Sequence, residues 1–207
     1  MSGVRILPMG AGAVLLELDD AVQVPALAAA IVAAREAGEI ATRDVVPAAT
    51  TVLVSGLSRV DRAVLEDLVA GWEPSEWDAA DGPLVEIPVA FDGPDLADVA
   101  AGWALTPDQA VALIASTEFT VAFCGFAPGF AYLTGLPAER EVPRRAEPRT
   151  AVPARAVALA GPYAGVYPRS SPGGWQIVGT AFGEPLWDVD RTPPALLTPG
   201  TRVRFLA

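Results

Sequence analysis

The chain has 207 residues, no histidine, one cysteine, and 14 basic residues that are all arginine, with a formal net charge of −11. These absences exclude histidine-based nucleophile triads and metal sites, intrachain disulfides, thiolate metal clusters, and any mechanism built on a lysine. The remaining chemistry must come from carboxylates, guanidinium groups, hydroxyls, phenols and main-chain amides, or from a partner.

Charge is unevenly spread. Residues 1–110 carry 18 acids and 5 arginines, net −13, whereas residues 111–207 carry 7 acids and 9 arginines, net +2. That balance argues against nucleic acid and against an anionic membrane surface. The acidic half reads as a solvated surface or as a face for a basic partner. No apolar run reaches the roughly 18–20 residues that span a bilayer. Met1–Arg5 lacks the regions of a signal peptide, so the expected location is the cytoplasm.

In chain order, residues 3–9 and 13–19 read as two strands around the turn Gly10-Ala11-Gly12. Apolar residues then recur at helical spacing from Val24 to Ala37, where Gly38 is a natural stop. Thr42–Pro47 and Thr50–Ser55 read as a second strand pair, and Ser58 as the N-cap of a helix running to about Gly71. Val60, Val64, Leu65 and Leu68 would form the inner face of that helix. The polar, proline-interrupted stretch Trp72–Pro83 predicts a domain boundary, giving an α+β sandwich, ferredoxin-like in outline, over residues 1–82.

Leu84–Ala90 reads as a strand, and Asp92-Gly93-Pro94-Asp95 opens a short helix. Thr106, Pro107 and Gln109 have the spacing of a capped helix start. Beyond it, the clearest strands are Thr120–Cys124, Val157–Ala160, Gln176–Thr180, Pro185–Val189 and Arg202–Phe205, separated by proline and glycine. Such spacing predicts a closed or half-closed β-barrel over residues 83–207.

Three stretches carry candidate chemistry. Gly125–Phe130 sets two aromatics around a Pro-Gly turn, and Ala127-Pro128 is a candidate for an unusual X-Pro geometry. Val142–Arg149 is a proline-stiffened loop with Arg144, Arg145 and Arg149, suited to bidentate capture of a carboxylate or phosphate. The same arginines could instead pair at the surface with Glu141 and Glu147. Tyr167–Trp175 places Ser170 and Ser171 before a Pro-Gly-Gly turn that either presents main-chain N–H groups to an anion or is a plain hairpin turn. Cys124 reads as an inert buried thiol, and Glu118 as a capping or pairing residue rather than a general base.

Taken together, G-F-A-P-G-F-A-Y-L-T-G-L, V-P-R-R-A-E-P-R-T-A-V-P-A and A-G-P-Y-A-G-V-Y-P-R-S-S-P-G-G-W-Q-I-V-G closely resemble the PxpB/KipI family, also called allophanate hydrolase subunit 1. The resemblance implies an N-terminal α+β domain followed by a mainly-β cyclophilin-like barrel. It implies a homologous barrel partner, PxpC (allophanate hydrolase subunit 2), and PxpA, which together form an ATP-dependent 5-oxoprolinase that opens 5-oxoproline to glutamate. ATP, accompanied by Mg²⁺, would belong to the complex and would not be held by a P-loop; no metal site of the chain's own is implied. The alternative, from KipI-like relatives, is a binding module that inhibits a sensor histidine kinase.

Carried over position by position, the implied phosphate- or substrate-binding residues are Arg144, Arg145, Arg149, Ser170, Gly173 and Gly174. The implied pocket is lined by Phe126, Pro128, Gly129, Phe130, Tyr132 and Trp175, with Pro172 beside it. The chain departs from the pattern twice. Ile114 and Ala115 stand where many relatives have His followed by Ser or Thr, and Pro162-Tyr163-Ala164 stand where many have polar residues.

Overall fold

The computed structural model of the chain describes residues 3–73 and 82–207, which fall into two compact units, Met1–Asp78 and Ala79–Ala207. The interruption Trp72–Pro83, which set the expected domain limits, lies largely outside the described residues.

In the first unit β1 (Val4–Pro8) turns at Gly10, where φ is +71°, and pairs antiparallel with β2 (Ala13–Leu18). A second hairpin joins β3 (Asp44–Pro47) to β4 (Thr51–Ser55), giving the sheet order β1-β2-β4-β3. Side chains alternate across a strand, so Val14, Leu16 and Leu18 share one face with Val52 and Val54, and all five are buried. Helix α1 (Val24–Glu36) joins that core through Leu27 and Ile31, and α2 (Arg59–Gly71) through Leu65 and Val69. Ser58 caps α2 in a capping box with Asp61, as its position predicts.

Two expectations change. Val60 is 74% exposed and Val69 is buried in the helix, because the inner stripe runs through Leu65 and Val69, about one turn apart. The element order is ββαββα rather than the βαββαβ of a ferredoxin-like sandwich. The Gly10–Gly12 turn closes a direct hairpin, so the first two strands pair without a helical crossover.

The second unit is a seven-stranded closed barrel. Its strands are β5 (Leu84–Ala90), β6 (Phe119–Cys124), β7 (Ala131–Thr134), β9 (Ala156–Ala160), β10 (Tyr163–Val166), β12 (Gln176–Ala181) and β13 (Arg202–Leu206). They run β10-β7-β6-β13-β5-β12-β9, and β9 pairs back onto β10, so the barrel has no open edge. Among the described strands only β5 and β13 pair in parallel. The interior is filled by Phe119, Val121, Leu133, Leu159, Val178 and Phe205. Two helices, α3 (Leu96–Gly102) and α4 (Pro107–Ser116), extend this core with Val99, Trp103, Ala110 and Ile114. Thr106 and Gln109 form the expected capping box.

A separate two-stranded ribbon, β8 (Arg149–Val152) with β11 (Ser171–Gly173), belongs to the same unit. Pro185–Val189 is not a strand; only the isolated bridge Trp187–Ala195 forms there. Prolines 185, 193 and 194 remove the N–H donors a ladder would need. Ala127-Pro128 is not a cis bond either; among the described residues the cis peptide is Thr192-Pro193.

Candidate functional site

Period-two alternation gives the barrel wall two apolar faces. In β9, Val157 and Leu159 enter the interior while Ala156, Ala158 and Ala160 face a second cluster outside it. In β12, Val178 points in and Ile177 out; in β7, Leu133 points in and Tyr132 out. The outer cluster is where the sequence motifs meet.

Its first part comes from the turn after β6. Phe126 takes φ +65°, a left-handed conformation that costs a non-glycine residue free energy, and the residue is 59% exposed. The turn is held by the Phe130 N–H donating to the Ala127 carbonyl at 2.9 Å and by Gly129 at φ +83°. Any Cβ on Gly129 would lie 2.9 Å from Trp187 Cβ, so glycine also lets the turn seat against Leu186 and Trp187.

From there the rings pack edge to face. Phe130 lies 5.4 Å from Phe126, 5.1 Å from Tyr132, 5.3 Å from Tyr167 and 5.4 Å from Trp175, centroid to centroid. Tyr132 stacks on Phe123 at 4.3 Å and meets Tyr163 at 5.6 Å. Phe130 and Trp175 are buried supports beneath this surface rather than walls of an open pocket, while Phe126 and Pro128 are exposed and Tyr132 is half-buried.

The arginine loop is fastened to the glycine turn. The Arg145 N–H donates to the Gly174 carbonyl at 2.8 Å, Gln176 Nε2 donates to the Pro143 carbonyl at 3.2 Å, and Arg149 pairs with Gly173 across the ribbon. Gly173 has no room for a side chain, since a Cβ would overlap the Tyr167 hydroxyl. Ser170 is exposed, and Ser171 Oγ donates to the Arg169 carbonyl at 3.1 Å.

Two of the three candidate arginines are committed to one carboxylate. Arg145 Nη1 and Arg149 Nη2 donate to Asp95 Oδ1 at 3.0 and 2.8 Å, and the Ile177 N–H donates to Oδ2 at 2.6 Å. Asp95 is 3% exposed. Burial pushes its carboxyl upward, but the Arg149 hydrogen bond, the Ile177 N–H and the two positive charges outweigh that and leave it below the usual carboxylate value. The alternative of surface pairing with Glu141 and Glu147 is not what Arg145 and Arg149 adopt; their partner is the buried Asp95. Asp95 escaped the sequence reading because an acid before a helix reads as a cap; its side chain makes no capping bond and turns to the arginines instead.

Arg144 is different. Its side chain is exposed and has no hydrogen bond or ion pair among the described residues. It lines a hollow of about 430 Å³ with Glu141, Pro143, Gly161, Pro162 and Tyr163. Burial raises the phenols of Tyr132 and Tyr167, and the Arg144 charge acts against that rise at both.

The other titratable candidates are structural. The Cys124 thiol donates to the Leu197 carbonyl at 3.4 Å and burial raises its pKa, away from nucleophilic use. Glu118 is held low by its hydrogen bond with Arg202, which outweighs desolvation, and also bonds Arg204 at 2.7 Å. Ile114 packs with no exposure in the barrel core, not in the outer cluster. A further cleft of about 340 Å³, lined by β5, Arg155 and Phe182–Glu184, contains none of the candidate site residues. No helix among the described residues is long and apolar enough to cross a membrane.

Compared with known proteins, residues 4–197 match the family described as carboxyltransferase domain, subdomain C and D. The chain is 45% identical over 160 residues to the B component of 5-oxoprolinase from Escherichia coli O157:H7, an alignment covering 75% of this chain and 72% of that protein. It is 41% identical over 145 residues to the protein of the same name from Haemophilus influenzae, covering 69% of this chain and 66% of that one. Among solved structures, TTHA0988 superposes with a TM-score of 0.77 at 35% identity over 94% of this chain; the match spans 39% of the TTHA0988 chain.

Proposed function

The chain belongs to the PxpB family, whose carboxyltransferase C and D region it matches over residues 4–197, and from that membership we propose that it is a subunit of 5-oxoprolinase. The observation that carries the reading is the 45% identity to the B component of the Escherichia coli enzyme. In this reading the chain works with PxpC and PxpA in the cytoplasm, and the complex couples ATP hydrolysis to the opening of 5-oxoproline to glutamate.

The lactam amide is a poor electrophile. Phosphorylating its oxygen would turn the carbonyl carbon into one that water attacks. The adduct then breaks its C–N bond, the protonated ring nitrogen leaving as the amine, and the resulting acyl phosphate is hydrolysed to carboxylate and phosphate. What the described residues of this chain offer to that chemistry is limited. Arg145 and Arg149 share the single carboxylate of Asp95, which offsets one of their two positive charges and fixes both guanidinium groups against α3. No lysine or P-loop is available, and no group of three or more Cys, Asp or Glu among the described residues could hold a metal ion. The residues present therefore do not fit a triphosphate, and we assign ATP to the partner subunits. This chain contributes the aromatic surface and the Arg144 hollow, which suit a small carboxylate.

The test is reconstitution. The chain mixed with folded PxpC and PxpA should release ADP and phosphate only when 5-oxoproline is added, and the chain alone should not. Absence of 5-oxoproline-dependent ATP hydrolysis in the three-protein mixture overturns the reading.

A further inference from the structure

Every barrel strand has two neighbours, yet the seam between β5 and β12 is zipped over only part of its length. The ladder runs through Thr180–Ala90 and Ala181–Val89, and the Phe182 N–H donates to the Pro88 carbonyl at 2.8 Å. There the pairing stops. Gly183 turns the chain away at φ +98°, its carbonyl held by Arg155 Nη2 at 3.0 Å, and Arg155 itself sits at φ +68°. Pro185 beyond it has no N–H to offer.

The first half of β5 is therefore bonded on one side only. Main-chain groups of successive strand residues point to opposite sides. The Arg202 N–H donates to the Pro83 carbonyl at 2.8 Å, so residues 83, 85 and 87 face β13 in the parallel register of that pair. Leu84 and Glu86 face the other way, the side on which Pro88 meets Phe182. Neither has a main-chain partner there among the described residues. The cleft of about 340 Å³ opens along this edge, with Val166, Leu186 and Leu196 in its wall.

Unpaired strand N–H and C=O groups are a template for an added strand. This edge is also acidic. Glu86 is exposed and has no ion pair among the described residues, and Glu184, which lines the same cleft, meets Arg191 only at 3.7 Å. A second copy of this chain, with its net charge of −11, would bring acid onto acid. We propose that the seam is a strand-addition site for an extended, basic segment of a partner protein. The segment runs antiparallel to β5, along the path that β12 abandons, and exchanges two main-chain bonds with Glu86. Its arginine or lysine lies across from the Glu86 side chain, while the residues before and after it enter the cleft and meet the apolar wall. The cleft shares no residue with the arginine loop, and the proposal does not rest on the 5-oxoprolinase reading.

The probe is the blocked peptide acetyl-Val-Arg-Val-Thr-Val-amide, titrated into the full isotope-labelled chain and followed by NMR. It should bind saturably at millimolar concentration and protect the Leu84 and Glu86 amides from hydrogen exchange. Methylating the peptide's arginine nitrogen removes the donor to the Glu86 carbonyl and should weaken binding at least about tenfold. Glutamate in place of that arginine should weaken it about three- to fivefold. Glu86→Lys should invert the preference, so that the glutamate peptide binds better than the arginine one. Because Glu86 is exposed, this exchange leaves the barrel core intact.

The site is overturned if the arginine peptide shows no saturable binding, or if the methylated peptide binds as well as its parent. An unchanged preference in Glu86→Lys overturns it equally. Self-association of the wild type through the same two amides would assign the edge to a second copy and also overturn the proposal.

Discussion

Asp95 is the residue on which the candidate site's geometry turns. A single buried carboxylate accepts from two arginines of one loop and from the main chain of β12, so it ties α3, the arginine loop and the barrel wall together. Asp95→Asn keeps the shape and removes the charge, leaving two guanidinium groups without a counter-ion. We expect a loss of about 3 kcal/mol in urea unfolding, the scale of breaking a buried ion pair. Its folded pKa is depressed, so its stabilisation is present above the unfolded value of about 3.9 and is lost as pH falls through the lower folded value. The gap between wild type and Asp95→Asn should stay level from about pH 5 to 8 and close below about pH 4. A gap that does not change with acid would mean that the carboxylate charge contributes nothing. Ile114 argues in the opposite direction. Because it lies fully buried in the barrel core, Ile114→His should cost about 1–3 kcal/mol as an unpartnered buried polar group. It should not raise 5-oxoproline-dependent turnover in the mixture; a faster variant would bring that position into the chemistry.

The strands and helices set how closely these residues can approach one another. β9 is buried on both faces because the barrel interior covers one side and the aromatic cluster the other. Two glycines make the close contacts possible. At Gly93, a Cβ would lie 2.3 Å from the Ile177 carbonyl oxygen, so only glycine lets the loop before α3 press onto β12 and deliver Asp95. At Gly165, a Cβ would come within 2.9 Å of Phe130 and 3.2 Å of Trp175. Gly165→Ala should therefore overpack the cluster and cost about 1–3 kcal/mol. Tryptophan fluorescence should shift, reporting displacement of Trp175. An unshifted spectrum with wild-type stability would show that the rings are not held against β10.

At the scale of the whole molecule, each unit is built around its own core, and the candidate chemistry belongs to the second. Most of this was legible in the amino-acid order. Capping at Ser58 and Thr106, the hairpin at Gly10–Gly12, a proline- and glycine-punctuated β-region and the absence of histidine and lysine are local facts, settled by backbone conformation, hydrogen bonding within a few residues and side-chain chemistry. The same locality explains the misreadings. Pro185 is visible in the sequence, but which segment packs beside it, and so whether its missing donor matters, is not; strand order likewise follows from which hairpins close rather than from how many strands exist. The division of labour among the arginines was beyond sequence reading altogether. Arg144, Arg145 and Arg149 are alike in chemistry and neighbours in the chain, yet 50 residues separate Arg145, and 54 separate Arg149, from the carboxylate that holds them. Residue type decided that guanidinium groups would be the cations of this site. Only the closing of the barrel, which carries Asp95 against β12, decided which two of them share a carboxylate and which one has no ion pair among the described residues.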